Sequence, residues 1–230
     1  MNFSLTKQHV NSIVGCTSPF EKIQFASLLR AVRERLGATL SIYDVETSNF
    51  RNTWNFGITE LSMLHIKPDG SMYLFSSLFD PGYPIKPIVV EKTGITDQMV
   101  AGAPLWKDLG APLFHYLSSK GNYLLGYNNK SFDRQCIIDS NSACKSCCAI
   151  VQNEREYDLL PVATKFFGRR VKLEDAARRL GMDTSLIGNA FHRASADVVA
   201  TAYVADKIIE AAGLDKLFPV CGEQRLLSEG

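Results

Sequence analysis

The sequence predicts an α/β fold in which a central five-stranded mixed sheet is flanked by helices. Two observations predict it. Three strand patterns follow one another in the first third of the chain, and from there strand and helix patterns alternate. The composition fits a globular domain: 46% of the 230 residues are hydrophobic and 21% charged, enough to bury one sizeable core.

The elements follow in chain order. Residues 19–36, PFEKIQFASLLRAVRERL, set Phe25, Leu28, Leu29, Val32 and Leu36 at helical spacing, and Gly37 suits the C-cap. Residues 1–36 therefore read as an N-terminal helical extension to a domain spanning 37–215. ATLSIYDVET follows as a buried strand. ITELSMLHIKPDGSMYLFSSLF reads as a β-hairpin with Pro68, Asp69 and Gly70 at its turn. After the proline-rich PGYPIKP, the amphipathic PLWKDLGAPLFHYLSS is helical but interrupted at Gly110 and Pro112. NYLLGYN is a short strand, SFDRQCIIDS opens a helix, and REYDLL is a strand end. VKLEDAARRLG is a compact helix stopped by Gly181. ASADVVATAYVADKIIEAA is a long helix with Val198, Ala202, Ala205 and Ile209 as its core stripe. Residues 216–230 read as a C-terminal tail.

A net charge of +1 neither demands nor excludes a nucleic-acid partner. No apolar run reaches the roughly 18 residues of a membrane span, and the N-terminus lacks a secretory pattern. The expectation is a cytoplasmic protein without a membrane partner. Cys136, Cys144, Cys147 and Cys148 crowd one segment. They supply one CxxC half and no nearby histidine, so free thiols fit better than a zinc site.

In YDVET, Asp44 and Glu46 are two apart and share one face of their strand, with Val45 on the other. An isolated DxE is usually a solvated strand end. The preceding TLSIY is apolar on both faces, which makes this strand central and brings both carboxylates out at its carboxyl end, where ligands collect in open α/β sheets. Two like charges about 4 Å apart repel by roughly 4 kcal/mol at an effective dielectric near 20. Either one protonates or a hard divalent cation sits between them. Further acids are available: Asp133, in a first helical turn after GYNNKSF, and Asp197, at the edge of the long helix's core stripe and five residues after His192. Taken singly, these have bland readings as a helix-dipole aspartate and a surface histidine.

The set in its order resembles the DEDDh, or DnaQ-like, family of 3′–5′ exonucleases. YDVETSNF matches its DxET(T/S)G, GYNNKSFD the GYNNxxFD form closest to bacterial exonuclease I, and HRASAD its HxAxxD. KTGITDQMV, YDLLPVA and VKLEDAARRLGM stand where the family has intervening segments, so the resemblance covers about residues 38–212. It implies an RNase H-like fold and two Mg²⁺ (or Mn²⁺) ions held by Asp44, Glu46, Asp133 and Asp197. It also implies His192 as general base and Thr47, Phe50 and Asn129 beside the substrate. The implied partner is a single-stranded nucleic acid with a free 3′ end, DNA first and RNA second.

The sequence departs from the family in places. Asn49 stands in place of the family's glycine, and asparagine tolerates the left-handed angles such a turn uses. Phe50 replaces a leucine and fits either a base-stacking contact or a core aromatic. Asn128 replaces the histidine of HNxxFD. The cluster Arg169, Arg170, Lys172, Arg178 and Arg179 fits either a phosphate track or a solvated helix face, since Glu174 and Asp175 interleave with it. A catalytically silent adaptor, docking through residues 1–36 to a protein partner or a second copy, is the alternative. All five chemical positions are present, which favours the enzyme. A glycosidase would leave the remaining acids and the histidine unexplained.

Overall fold

The computed structural model describes residues 23–110, 121–140, 155–188 and 190–219. Five strands form one sheet in the order β3-β2-β1-β4-β5. They are β1 (Leu40–Thr47), β2 (Ile58–Ile66), β3 (Met72–Leu78), β4 (Tyr123–Gly126) and β5 (Glu156–Asp158). β1, β2 and β3 form the expected antiparallel meander, while β4 runs parallel to β1 and β5 parallel to β4. β1 is therefore central, as its two apolar faces require.

Alternation along β1 assigns its faces. Leu40 and Ile42 join a core built with the long C-terminal helix α7 (Ala194–Ala212). That core also takes in α1 (Ala26–Ala31), α5 (Leu159–Phe167) and α6 (Leu173–Arg179). Tyr43 and Val45 join a second core on the opposite face, with Leu61, Met63 and Phe79. There they meet Trp106 and α4 (Asp133–Ser140), which contributes Cys136 and Ile137. Two short helices, α2 (Pro87–Thr93) and α3 (Asp97–Val100), follow the hairpin.

Several expectations change. Within the segment read as an N-terminal extension, Ile23, Phe25, Leu28, Ala31 and Val32 are buried in the main core. Asp206 of α7 accepts the Leu28 N–H at 2.8 Å and so caps α1 from another element. The end of α1 widens into a π-helical turn at Val32–Leu36, closed by the Gly37 N–H on the Val32 carbonyl. After β5 the chain turns directly into α5 instead of stopping at a strand end. Asp158 caps it, and Pro161 lies in the first turn, where no amide donor is needed. The residues 1–22, the segment 111–119 of the interrupted helix, Cys144, Cys147, Cys148 and the tail from 220 lie outside the described residues.

Candidate active site

β1 carries its apolar stripe, Leu40 and Ile42, on the α7 face, and the next two residues of that stripe are Asp44 and Glu46. The strand thus ends in acid where its pairing becomes irregular: the register with β2 shifts between Glu46 and Thr47. α7 runs across this face and brings Asp197 in its first turn to the same end. Asp44, Glu46 and Asp197 each offer a carboxylate oxygen within 4.8 Å of the others.

Asp133 approaches from the other face, at the start of α4. Its Oδ1 accepts the Val45 N–H at 3.1 Å, so this carboxyl is turned to the β1 backbone and stays outside the tight trio. It is buried, and its charge is still felt by Asp44.

The electrostatics follow from this crowding. Burial, then Asp133, Asp197, Glu46 and Glu60, pushes the Asp44 carboxyl well above the ordinary range. Glu46 moves the same way through burial, Asp197 and Glu60, with Lys92 opposing. Burial lifts Asp133 to about 7 against the Val45 N–H. Burial likewise lifts Asp197 to about 7, with the His192 N–H and Lys92 opposing. All four groups hold protons unusually tightly, which is what carboxylates gathered to share a cation do before it binds. The trio supplies only hard oxygen donors, so it fits Mg²⁺ or Mn²⁺.

His192 precedes α7 in left-handed backbone, φ 70°, and its N–H reaches Asp197 Oδ1 at 3.4 Å. Burial, Lys92 and Lys172 lower the proton affinity of its imidazole, against Glu174.

The remaining expected positions divide. Phe50 is 58% exposed beside the strand end, with the Lys86 ammonium over its ring at 4.6 Å, so it is not a core aromatic. Thr47 is buried and donates its hydroxyl to the Asn49 carbonyl at 3.1 Å. Asn129 is fully buried. Its amide donates to Glu156 at 2.8 Å and to the Tyr43 hydroxyl at 3.3 Å, while Arg134 pairs with Glu156 at 2.8 Å. This network seats the turn that delivers Asp133. A Cβ at Gly126 would stand 2.4 Å from the Asn129 Cβ, which is why GYNN begins with glycine. Left-handed backbone falls at Asn52 and Asn128, not at Asn49. The Asn49 side chain instead closes its loop, donating to Asn55 at 2.6 Å and accepting the Phe50 N–H at 2.8 Å.

Within the basic cluster, Arg178 pairs with Glu174 at 3.0 Å, as a solvated helix face does. Two neighbours of the acids were not legible as such. Lys92 opens the KTGIT segment, and its charge eases Glu46 and Asp197. Glu60 is a buried acid on β2 whose only signal is one charge inside the apolar ITELSML.

Among the described residues no helix is long and apolar enough to cross a membrane. The sequence pattern of the exonuclease family, RNase T type, matches residues 41–205. A PolC-type DNA polymerase III of Listeria welshimeri is 30% identical over 175 residues, 76% of this chain and 12% of that protein. A putative bifunctional exonuclease/endonuclease of Mycobacterium tuberculosis is 28% identical over 185 residues, 76% of this chain and 27% of that protein. The chain thus spans a minor part of the curated relatives it matches. The complex of E. coli exonuclease I with single-stranded DNA superposes with a TM-score of 0.68 at 21% identity, covering 83% of this chain and 45% of that one. Exonuclease X in complex with 5′ overhanging duplex DNA superposes at 0.55 with 25% identity, covering 80% of this chain and 99% of that one. The sheet order and helix placement are those of the RNase H-like fold, and the chain belongs to the DnaQ-like exonuclease family.

Proposed function

We propose that this chain is a divalent-metal-dependent 3′–5′ exonuclease acting on single-stranded DNA ends and releasing nucleoside 5′-monophosphates. The observation that carries the reading is the meeting of Asp44, Glu46 and Asp197 oxygens within 4.8 Å at one strand end, with His192 in the loop beside them. These three carboxylates, with Asp133 behind β1, would hold two Mg²⁺ or Mn²⁺ ions. Bound there, the ions supply positive charge that favours deprotonation of the attacking water and departure of the 3′-oxygen.

The chain's own residues do the rest. His192 accepts the proton of the water that attacks the terminal phosphorus. The P–O3′ bond breaks, and the leaving oxygen takes a proton from solvent to become the new 3′-hydroxyl. Phe50 offers a face on which a base can stack, and Lys86 places positive charge beside it. DNA is favoured over RNA because exonuclease I and exonuclease X were each captured with DNA.

The test uses 5′-labelled single-stranded DNA and RNA of one sequence, incubated in Mg²⁺, in Mn²⁺ and in EDTA beside Asp44→Ala. A ladder shortening from the 3′ end, absent in EDTA and in the variant, supports the reading, and the faster polymer names the substrate. Intact label throughout, with folded protein, rejects it in favour of a silent adaptor.

A further inference from the structure

Glu60 is a buried carboxylate that the chemistry above leaves without a task. It lies on β2 directly across from Glu46 of β1, so the two side chains share one face, and it is 1% exposed. Four donors converge on it. Arg193 sends Nε to Oε2 at 3.0 Å and Nη2 to Oε1 at 3.0 Å. The Ala194 N–H reaches Oε2 at 3.0 Å, and the Ser76 hydroxyl reaches Oε1 at 3.2 Å.

Three of these four bonds come from the start of α7. Arg193 is the residue that caps this helix, yet its own side chain makes no capping bond. Glu60 supplies the acceptor from the sheet, at the positive end of the helix. The residues held in this way flank the chemistry. His192 immediately precedes Arg193, and the Asp197 N–H donates to the Arg193 carbonyl at 3.0 Å. A two-point guanidinium fork fixes rotation as well as distance. Arg193 also cancels the Glu60 charge, so the clamp adds no net charge beside a crowded acidic cluster.

From this geometry we infer that Glu60 is a positioning residue of the active site. Through Arg193 and the Ala194 amide it sets His192 and Asp197 against the strand end that bears Asp44 and Glu46. In its kinetic part the inference rests on the exonuclease reading.

The test compares Glu60→Gln, Arg193→Lys and their double variant with Asp206→Asn, which alters a buried carboxylate of the same helix away from the cluster. Kinetics are read at a temperature where circular dichroism shows every variant folded. Glu60→Gln should lower kcat on single-stranded DNA by about 100-fold, the cost of roughly 1 Å of misplacement, with KM within about twofold of wild type. Arg193→Lys keeps the charge but loses the fork and should fall about 10-fold. The double variant should be no worse than Glu60→Gln alone, because the two act as one unit. Asp206→Asn should keep the wild-type kcat. Hydrogen exchange at residues 194–197 should quicken in Glu60→Gln and not in Asp206→Asn. Unchanged kcat in folded Glu60→Gln, a raised KM at constant kcat, or an equal kcat loss in Asp206→Asn would overturn the inference. If Glu60→Gln does not fold, a wild-type kcat in Arg193→Lys overturns it. If the wild-type protein digests no DNA or RNA, the exonuclease reading fails separately, and exchange at the start of α7 still decides whether the clamp exists.

Discussion

Asp197→Asn is expected to make the metal-free protein more stable while removing a carboxylate from the cluster. The oxygens of Asp44, Glu46 and Asp197 lie within 4.8 Å of one another. Two unit charges at that separation repel by about 3.5 kcal/mol at an effective dielectric near 20. Burial acts in the same direction: chiefly through it, Asp197 is lifted from the ordinary aspartate range to about 7, which costs roughly 4 kcal/mol of folding free energy above pH 7. Solvent reaches part of Asp197, and protons redistribute among its neighbours, so a gain of about 2 kcal/mol is the expectation after screening. Asparagine keeps the shape and the oxygen that accepts the His192 N–H.

The sign with pH is fixed. The folded group binds its proton more tightly than the unfolded one, so wild-type stability is intact below the unfolded value near 4 and is lost as pH rises toward 7. The advantage of Asp197→Asn is therefore full at pH 8 and fades as pH falls toward about 4. Urea unfolding in EDTA at pH 8 and pH 5 measures it, and added Mg²⁺ should stabilise wild type more than the variant. No gain at pH 8, or a larger gain at pH 5, would refute the claim that burial and crowding make the charged form of Asp197 costly in the metal-free fold.

Three further outcomes follow from the same geometry. His192→Ala should lower kcat by about 10²–10⁴-fold while Mg²⁺ binding, read by calorimetry, persists; near-wild-type turnover would remove the histidine from the reaction. Phe50→Ala should weaken single-stranded DNA binding by roughly 1–3 kcal/mol in fluorescence anisotropy with Ca²⁺ in place of Mg²⁺, and an unchanged Kd would leave the ring a bystander. Asp206→Ala should cost about 1–2 kcal/mol in urea unfolding through the lost cap on α1, and unchanged stability would show that water satisfies those amides equally well.

Much of the site was legible because its signals are local. The period of two in YDVET places Asp44 and Glu46 together whatever surrounds them, and helical spacing puts Asp197 at the margin of a core stripe. What stayed hidden depends on contacts between distant residues. Asn129 in GYNN gives no hint that Glu156, 27 residues on, will take its amide and bury it. Asp133 carries the charge expected of it, but its turn toward the Val45 N–H is set by how α4 docks on the sheet. Glu60 sits in a hairpin read for its turn at Pro68, Asp69 and Gly70, and its partner Arg193 is 133 residues away. The helix after β5 escaped notice because Pro161 argues against a helix interior and only the cap at Asp158 reveals that it occupies a first turn.

The docking of α7 across β1 also bears on the order in which the molecule matures. The chain emerges from its N-terminal end, so β1, its hairpin and even Asp133 of α4 are synthesised well before residue 197. Until α7 leaves the ribosome, α1 lacks its cap, the Leu40–Ile42 face lacks the long helix that completes its core and the acidic pair has no third member. The last long helix therefore completes the core and the carboxylate trio in one event. A nascent chain, or one clipped before α7, holds the sheet's acids but not the assembled trio, so the proposed nuclease activity would await completion of the fold.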